Sequence, residues 1–341
     1  MYYAGFDLAG KGSYLYIQDR KGKKVEGREI PTTRAAIRAA FKKYKSSLIE
    51  VAIESGNQTR WIYDELRKLG IRVYVVNANK VKAIAASKRK TDKIDAKLLS
   101  ELLRLDALPQ EVIMAEGRIR EMRDLMRARQ NMAEVNTSLM NYLRGLLRQE
   151  GIRLPARVFS QAGGFEQEIK NRLPKHILQI MARYSELIDK MVVERKKLEE
   201  KILHHKNKDI ALIKTIPGMG EISSRTIEAA IGQIKRFKNA KQLTSYCGLV
   251  PSVRASGERV EHGHITREGR SEVRRVGVQC AHALLRSKSK ESYPLKTWHA
   301  QLARRRGYKT AIVALARRLI NITFYVLRDR RPYDYKLLTA A

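Results

Sequence analysis

Tyr2-Tyr-Ala-Gly-Phe-Asp-Leu-Ala9 is an apolar stretch broken by a single acid, Asp7. It reads as a buried strand with Asp7 in its middle, where a carboxylate is costly unless it is paired or bound to a metal ion. Working outward, residues 12–19 alternate Tyr14, Tyr16 and Gln18 against Leu15 and Ile17, so the two segments form a hairpin. Residues 24–30 supply a third strand after the turn Arg20-Lys-Gly22. A helix is expected over 32–45, with Thr32 or Thr33 as its cap and Ala36, Ile37, Ala40 and Phe41 on one side. Leu48-Ile-Glu-Val-Ala-Ile53 is then a central strand that runs directly into Glu54. A helix over 59–69, stopped by Gly70, leads to a strand over 71–76.

Three antiparallel-type strands followed by alternating helix and strand describe an RNase H-like α/β layout over about the first 105 residues. The next decisive stretch is Lys88-Arg-Lys-Thr-Asp-Lys-Ile-Asp-Ala-Lys-Leu-Leu99. Asp92 and Asp95 are three residues apart at the start of an amphipathic helical pattern, so both carboxylates lie on one helix face. Taken alone they are an ordinary acidic first turn, which the helix dipole favours. With Asp7 and Glu54 they make four carboxylates suited to two Mg²⁺ ions and in-line phosphoryl transfer. Lys88, Arg89 and Lys90, just upstream, suit a phosphate. One decoy is rejected. Gly5-Phe-Asp-Leu-Ala-Gly-Lys-Gly12 nearly matches a phosphate-cradling loop, but Gly12 replaces the required hydroxyl and Asp7 would set a negative charge in the nest.

The charge narrows the partners. Sixty-nine Lys and Arg against 35 Asp and Glu give +34, an excess that implies a polyanion, nucleic acid above all. No apolar run approaches the 18 or so residues of a spanning helix, and the N-terminus lacks the layout of a signal peptide, so no membrane partner is expected. Two cysteines, Cys247 and Cys280, exclude a disulfide framework and agree with a reducing, cytoplasmic location.

Two long helical patterns, over 118–149 and 173–203, read as an antiparallel hairpin, a coiled-coil spacer or dimerisation arm within 106–207. Residues 208–341 form a mainly helical third segment. There Ile216-Pro-Gly-Met-Gly220 resembles the turn of a helix-hairpin-helix element, with Gly218 and Gly220 able to offer backbone N–H groups to a DNA phosphate. Ser256-Gly257 lies in a polar loop between Arg254 and Arg259, and an exposed serine there could act as a nucleophile if a base or metal activated it. From Val253 to the last residue, 20 Lys and Arg face 7 Asp and Glu, a surface suited to a phosphate backbone that includes Arg267, Arg270, Arg274 and Arg275. Zinc is disfavoured, because Cys247, His262, His264, Cys280 and His282 match no paired-ligand spacing.

Gly5-Phe-Asp7, Ile53-Glu54-Ser, Lys90-Thr-Asp-Lys-Ile-Asp-Ala96, Ile216-Pro-Gly-Met-Gly220, Tyr246-Cys-Gly-Leu-Val-Pro251 and Ser256-Gly257, in this order, resemble the insertion-sequence one-ten family of DEDD transposases. That family includes the Piv-type DNA invertases. Two stretches depart from its pattern: Ser-Gly-Asn-Gln after Glu54, and Gly263-His-Ile-Thr-Arg-Glu-Gly269 after the serine. The resemblance implies a RuvC-like domain over 1–105, a coiled-coil spacer over 106–207 and a C-terminal transposase domain over 208–341. It also implies Mg²⁺, or Mn²⁺ in its place, on Asp7, Glu54, Asp92 and Asp95, and Ser256 as the group that forms a phosphoserine with DNA. A structured guide RNA pairing with donor and target DNA, and homodimers or homotetramers in a bacterial or archaeal nucleoid, are implied as well. Two other readings stay open: a metal-dependent nuclease such as a junction resolvase, and a Piv-like invertase.

Overall fold

A computed structural model describes residues 1–44, 48–84, 91–153, 173–256 and 259–336, with backbone alone at 82, 83, 254–256, 259, 260 and 262. It divides into two compact units, Met1–Ala115 and Glu116–Ala341.

In the first unit, β1 (Tyr2–Asp7), β2 (Gly12–Asp19) and β3 (Lys24–Pro31) form an antiparallel meander. Helix α1 (Arg34–Lys42) follows, its first turn capped by Thr33, whose Oγ1 accepts from the Ala36 amide. Strands β4 (Ile49–Glu54) and β5 (Arg72–Val76) are joined by α2 (Thr59–Lys68) and add in parallel beside β1. The resulting five-stranded mixed sheet has the order β3-β2-β1-β4-β5, the RNase H-like arrangement. Short α3 (Ala78–Ile84) leads toward α4 (Asp92–Arg104).

Strand alternation sorts the two faces. Ala4, Phe6, Val51 and Ile53 pack with Ile37, Phe41, Ile62 and Leu66 of α1 and α2. Ala52 and Val76 pack on the opposite face with Leu99, Leu102 and Leu103 of α4. The unit extends ten residues past the expected boundary at 105, because the chain after α4 returns to the sheet. There the Val112 amide donates to the Val75 carbonyl at 2.7 Å, and Val112 and Met114 pack on the core.

In the second unit, α5 (Gly117–Gln149) and α6 (Lys175–His204) lie antiparallel, with Arg129 paired to Glu199 near one end and the Tyr142 and Tyr184 rings 4.8 Å apart farther along. This pair does not stand apart from the C-terminal segment. Helices α7 (Lys208–Lys214) and α8 (Glu221–Ile231) fold back on it, held by two arginines. Arg225 donates from Nε to the Ile202 carbonyl at 3.0 Å and from Nη2 to the Leu203 and His205 carbonyls, which caps α6. Arg123 donates to the Ala229 and Ala230 carbonyls at 2.7 and 3.0 Å, which caps α8. The rest comprises α9 (Ala240–Tyr246), the hairpin β6 (Pro251–Ser256) and β7 (Arg259–Ile265), α10 (Ser271–Arg286), α11 (Tyr293–Arg306) and α12 (Tyr308–Asp329).

One expectation from the sequence needs correction. Among the described residues α12 is long and apolar enough to cross a membrane, even though Arg317 and Arg318 break its apolar run. It is the core helix of this unit, with 61% of its most apolar window buried and Leu315, Leu319 and Ile320 fully enclosed.

The sheet's outer strand carries its own acid-sensitive tie. Glu26 accepts from Arg28 Nε at 2.6 Å and from Tyr44 OH at 2.8 Å, and pairs with Lys43 at 2.5 Å. Burial pushes its carboxyl up, but these hydrogen bonds outweigh that and bring it down to about 2. A carboxyl depressed in the folded state stabilises above its unfolded value of about 4.3 and loses that contribution as pH falls toward 2. Glu26→Gln is therefore expected to flatten the dependence of thermal unfolding on pH between about 4.5 and 2 while changing little in the slope above 6. Unfolding scans across that range check this, and an unchanged acid limb would contradict it.

Candidate active site

Asp7 and Glu54 are the last residues of β1 and β4. These strands are parallel neighbours in the register Phe6↔Ile53, so the two acids are the next pair in line at the carboxyl end of the sheet. Asp7 is thus at a strand end and half-buried, where the sequence placed it mid-strand and buried. The strand stops there because residues 8–11 turn into the hairpin, with Ser13 Oγ accepting from the Ala9 amide at 3.1 Å.

Helix α4 brings the other two acids to that end. A Cβ on Gly5 would lie 1.9 Å from the Ala96 carbonyl oxygen and 2.6 Å from the Ser100 amide. Only glycine leaves room for the helix backbone to rest on the strand. One turn further on, Ser100 Oγ donates to the Tyr3 carbonyl at 2.8 Å. Four helix residues rise about 6 Å, close to the ~6.6 Å of two strand residues. The contacts of Tyr3 with Ser100 and Gly5 with Ala96 thus run toward the Asp7 end of β1 as α4 is followed back to its first turn. Thr91 fixes where the helix begins, its Oγ1 accepting from the Ile94 amide at 3.3 Å, so Asp92 and Asp95 fall in the first turn.

Carboxylates are hard oxygen donors of the type a divalent cation takes. Among the described residues no three His, Cys, Asp or Glu side chains are gathered closely enough to hold an ion. Lys88, Arg89 and Lys90, expected to meet phosphate beside them, lie outside the described residues. Sequence reasoning missed Thr59, which is 3% exposed. Its hydroxyl donates to the Glu54 carbonyl and accepts from the Gly56 amide, both at 2.7 Å, which sets the path of the chain out of β4. A threonine five residues beyond a strand-end acid was the available signal, and it was read only as a helix start.

Ser256 ends β6, paired with Arg259 across the hairpin; the sequence had placed it in a loop. Side-chain placement at Arg254, Ser256 and Arg259 is outside the description. The hairpin's root is closely specified. A Cβ on Gly248 (φ +65°) would meet the Glu268 carbonyl at 2.2 Å, and one on Gly269 (φ +103°) would meet the Tyr246 carbonyl at 2.2 Å. Both the positive φ and the close approach demand glycine. The Thr266 and Arg270 amides donate to the Val250 and Tyr246 carbonyls, and Arg274 Nη1 donates to the Cys247 carbonyl at 3.1 Å. Arg270 Nε donates to Tyr246 OH at 2.8 Å and Nη1 to Glu272. Arg270 and Arg274 thus direct donors into the hairpin root, whereas Arg267 and Arg275 are exposed.

Gly218 (φ +86°) packs a backbone edge against α10, where a Cβ would lie 2.4 Å from the Cys280 carbonyl. The Gly220 amide donates to Ser223 Oγ at 2.7 Å. Both glycines have a packing or capping reason to be there. Cys247 is enclosed in the core, its thiol pushed up to about 12 by burial.

With this geometry in place, comparison with known proteins becomes decisive. A DEDD transposase profile of IS110-type elements matches residues 4–151, and the profile of the Transposase IS116/IS110/IS902 family matches residues 210–294. The chain belongs to the IS110 family of transposases. The first profile spans all four acids, and the second spans the Pro-Gly turn and Ser256. The transposase for insertion sequence element IS1111A of Coxiella burnetii is 26% identical over 96% of this chain and 90% of its own length. The transposase for IS1328 of Yersinia enterocolitica is 24% identical over 81% and 83%. The pilin gene-inverting protein of Moraxella bovis is 31% identical over 134 residues, 38% of this chain and 40% of its own. This transposase is accordingly an enzyme that cuts and rejoins DNA, and its DEDD domain implies dependence on a divalent metal ion.

Thr59→Val keeps the shape and removes the hydroxyl. It is expected to cost about 1–2 kcal/mol of stability and to lower DNA cleavage by more than the folded fraction explains. Cleavage assays paired with thermal unfolding check this; cleavage that tracks the folded fraction would contradict it. Gly269→Ala is expected to abolish rejoining while DNA binding persists, measured by strand-transfer and gel-shift assays.

Proposed function

We propose that this transposase moves or rearranges DNA segments by a metal-supported serine mechanism, with Asp7, Glu54, Asp92 and Asp95 as the ion's ligands and Ser256 as the nucleophile. The observation that supports the reading is the packing of α4 on β1 at Gly5 and Tyr3, which extended by one helical turn runs toward Asp92, together with the shared stop of β1 and β4 at Asp7 and Glu54. Mg²⁺, or Mn²⁺, would supply Lewis acidity toward a phosphoryl oxygen and lower the pKa of a bound hydroxyl.

The rest is the work of the chain's own groups. Ser256 Oγ attacks a DNA phosphorus; an O–P bond forms, one strand P–O bond breaks, and the serine proton passes to the departing strand oxygen. The phosphoserine ester conserves the energy of the broken bond, so a strand hydroxyl can attack it and rejoin DNA without a nucleotide cofactor. The interlocked hairpin root carries the strand that ends at Ser256. The cations Arg254, Arg259 and Arg267 serve the phosphates on either side, as Lys88, Arg89 and Lys90 serve those near the acids.

We further propose that a structured RNA of the same element selects donor and target. Homodimers or homotetramers would unite the acids of one subunit with the serine of another, in a cytoplasmic, nucleoid-associated setting. The helical pair α5–α6 would act as a coiled-coil spacer and the Pro-Gly turn as a helix-hairpin-helix contact. Likeness to the Moraxella bovis protein favours inversion as the second reading.

Ser256→Ala is expected to remove a protein–DNA adduct that survives denaturation in the parent and to lower recombination by several orders of magnitude. Recombination at the parental rate would overturn the serine assignment and leave a water-using nuclease. The junctions formed from a marked segment distinguish excision from inversion.

A further inference from the structure

The helical pair has work beyond spacing. Between α5, α8 and the N-terminal turn of α10 lies a cleft of about 540 Å³ lined by Arg123, Arg127, Arg129, Arg275, Ser223 and Ser271, among others. All of it belongs to the second unit. The charge here is poorly balanced. Arg123 is held by two carbonyl oxygens, which orient its guanidinium but do not neutralise it. Burial first, then the neighbouring cation Arg270, bring its pKa down to about 10. Arg236 lies 4.4 Å over both the Phe237 and Tyr246 rings, with its Nε buried and without a hydrogen-bond partner among the described residues. Arg270 reaches the hydroxyl of the same tyrosine, with Glu272 as its carboxylate partner. Burial raises the Tyr246 hydroxyl, yet Arg270 and Arg236 bring it below the ordinary tyrosine range, a measure of the local positive field.

Farther out, Arg129 pairs with Glu199, and Arg275 pairs with Glu134 across the cleft mouth at 2.5 Å. Arg127 is exposed at the rim. Converging guanidiniums repel one another, and burial strengthens the repulsion by lowering the dielectric. The amino end of α10 adds its dipole with the same sign.

We propose that this cleft is a binding site for the phosphodiester backbone of DNA, with Arg127 and Arg275 as its outer contacts and Arg123 at its floor. The hydroxyls of Ser223 and Ser271 supply neutral donors of the kind that position a backbone without reading its sequence. Glu134 then acts as a gate of opposite charge, occupying Arg275 until a phosphate displaces it. The site is separate from the serine hairpin and stands whether or not Ser256 is the nucleophile.

Binding of the full-length protein to a labelled DNA duplex, followed by fluorescence anisotropy across a salt series, tests it. Arg127→Gln alters an exposed side chain, so the unfolding temperature should hold. The slope of log affinity against log salt should fall by about one, and Arg127→Lys should restore it. Glu134→Gln frees Arg275 and should strengthen binding about two- to fivefold at low salt. A parental slope in Arg127→Gln, or binding in Glu134→Gln no tighter than in the parent, overturns the proposal. A slope change confined to an RNA duplex of the same sequence overturns the assignment to DNA.

Discussion

At Gly5 the backbone of a helix rests on the backbone of a strand because no side chain stands between them. Everything proposed for the amino-terminal unit depends on that approach. It fixes how far α4 slides along β1, and so which residue of its first turn stands level with Asp7. A single added methyl would meet the Ala96 carbonyl at 1.9 Å and force the helix off the sheet. Thr91 then decides where the helix starts, and the shared stop of β1 and β4 decides where the other two acids stand.

The carboxyl-terminal unit uses the same device for a different purpose. Gly248 and Gly269 let the two roots of the β6–β7 hairpin pass within contact of each other's backbone, and Arg274 ties the crossing. The arginines that build this unit are not uniform surface charge. Arg225 and Arg123 cap helices, and Arg270 and Arg274 hold the hairpin. Arg127 and Arg275 remain at the surface, the latter paired with Glu134. A net charge of +34 therefore overstates the binding surface, since part of it satisfies carbonyls inside the fold.

The sheet was legible in the sequence because alternation and turn residues carry strand order directly. Tyr14, Leu15, Tyr16 and Ile17 announce β2, and the run into Glu54 announces β4. The acids were legible too, but their depth was not. An acid flanked by Phe6 and Leu8 reads as buried, whereas the strand ends on it and leaves it half-exposed. Thr59 and the hairpin glycines were not recognised because their roles rest on contacts with carbonyls distant in space or on a positive φ, and neither leaves a periodic trace. In α12 the paired Arg317 and Arg318 split the apolar residues into two shorter runs and concealed the core helix, which can spare two long cations on its less buried side.

The proposed site makes Asp7 and Asp92, 85 positions apart in sequence, ligands of one ion. A double-mutant cycle on Mn²⁺ binding, read by the loss of the free-ion paramagnetic resonance signal, tests it most directly. The account predicts that Asp7→Asn and Asp92→Asn each abolish tight binding and that the double variant is no worse than either. Parental Mn²⁺ affinity in Asp92→Asn, or additive losses in the double variant, would contradict it.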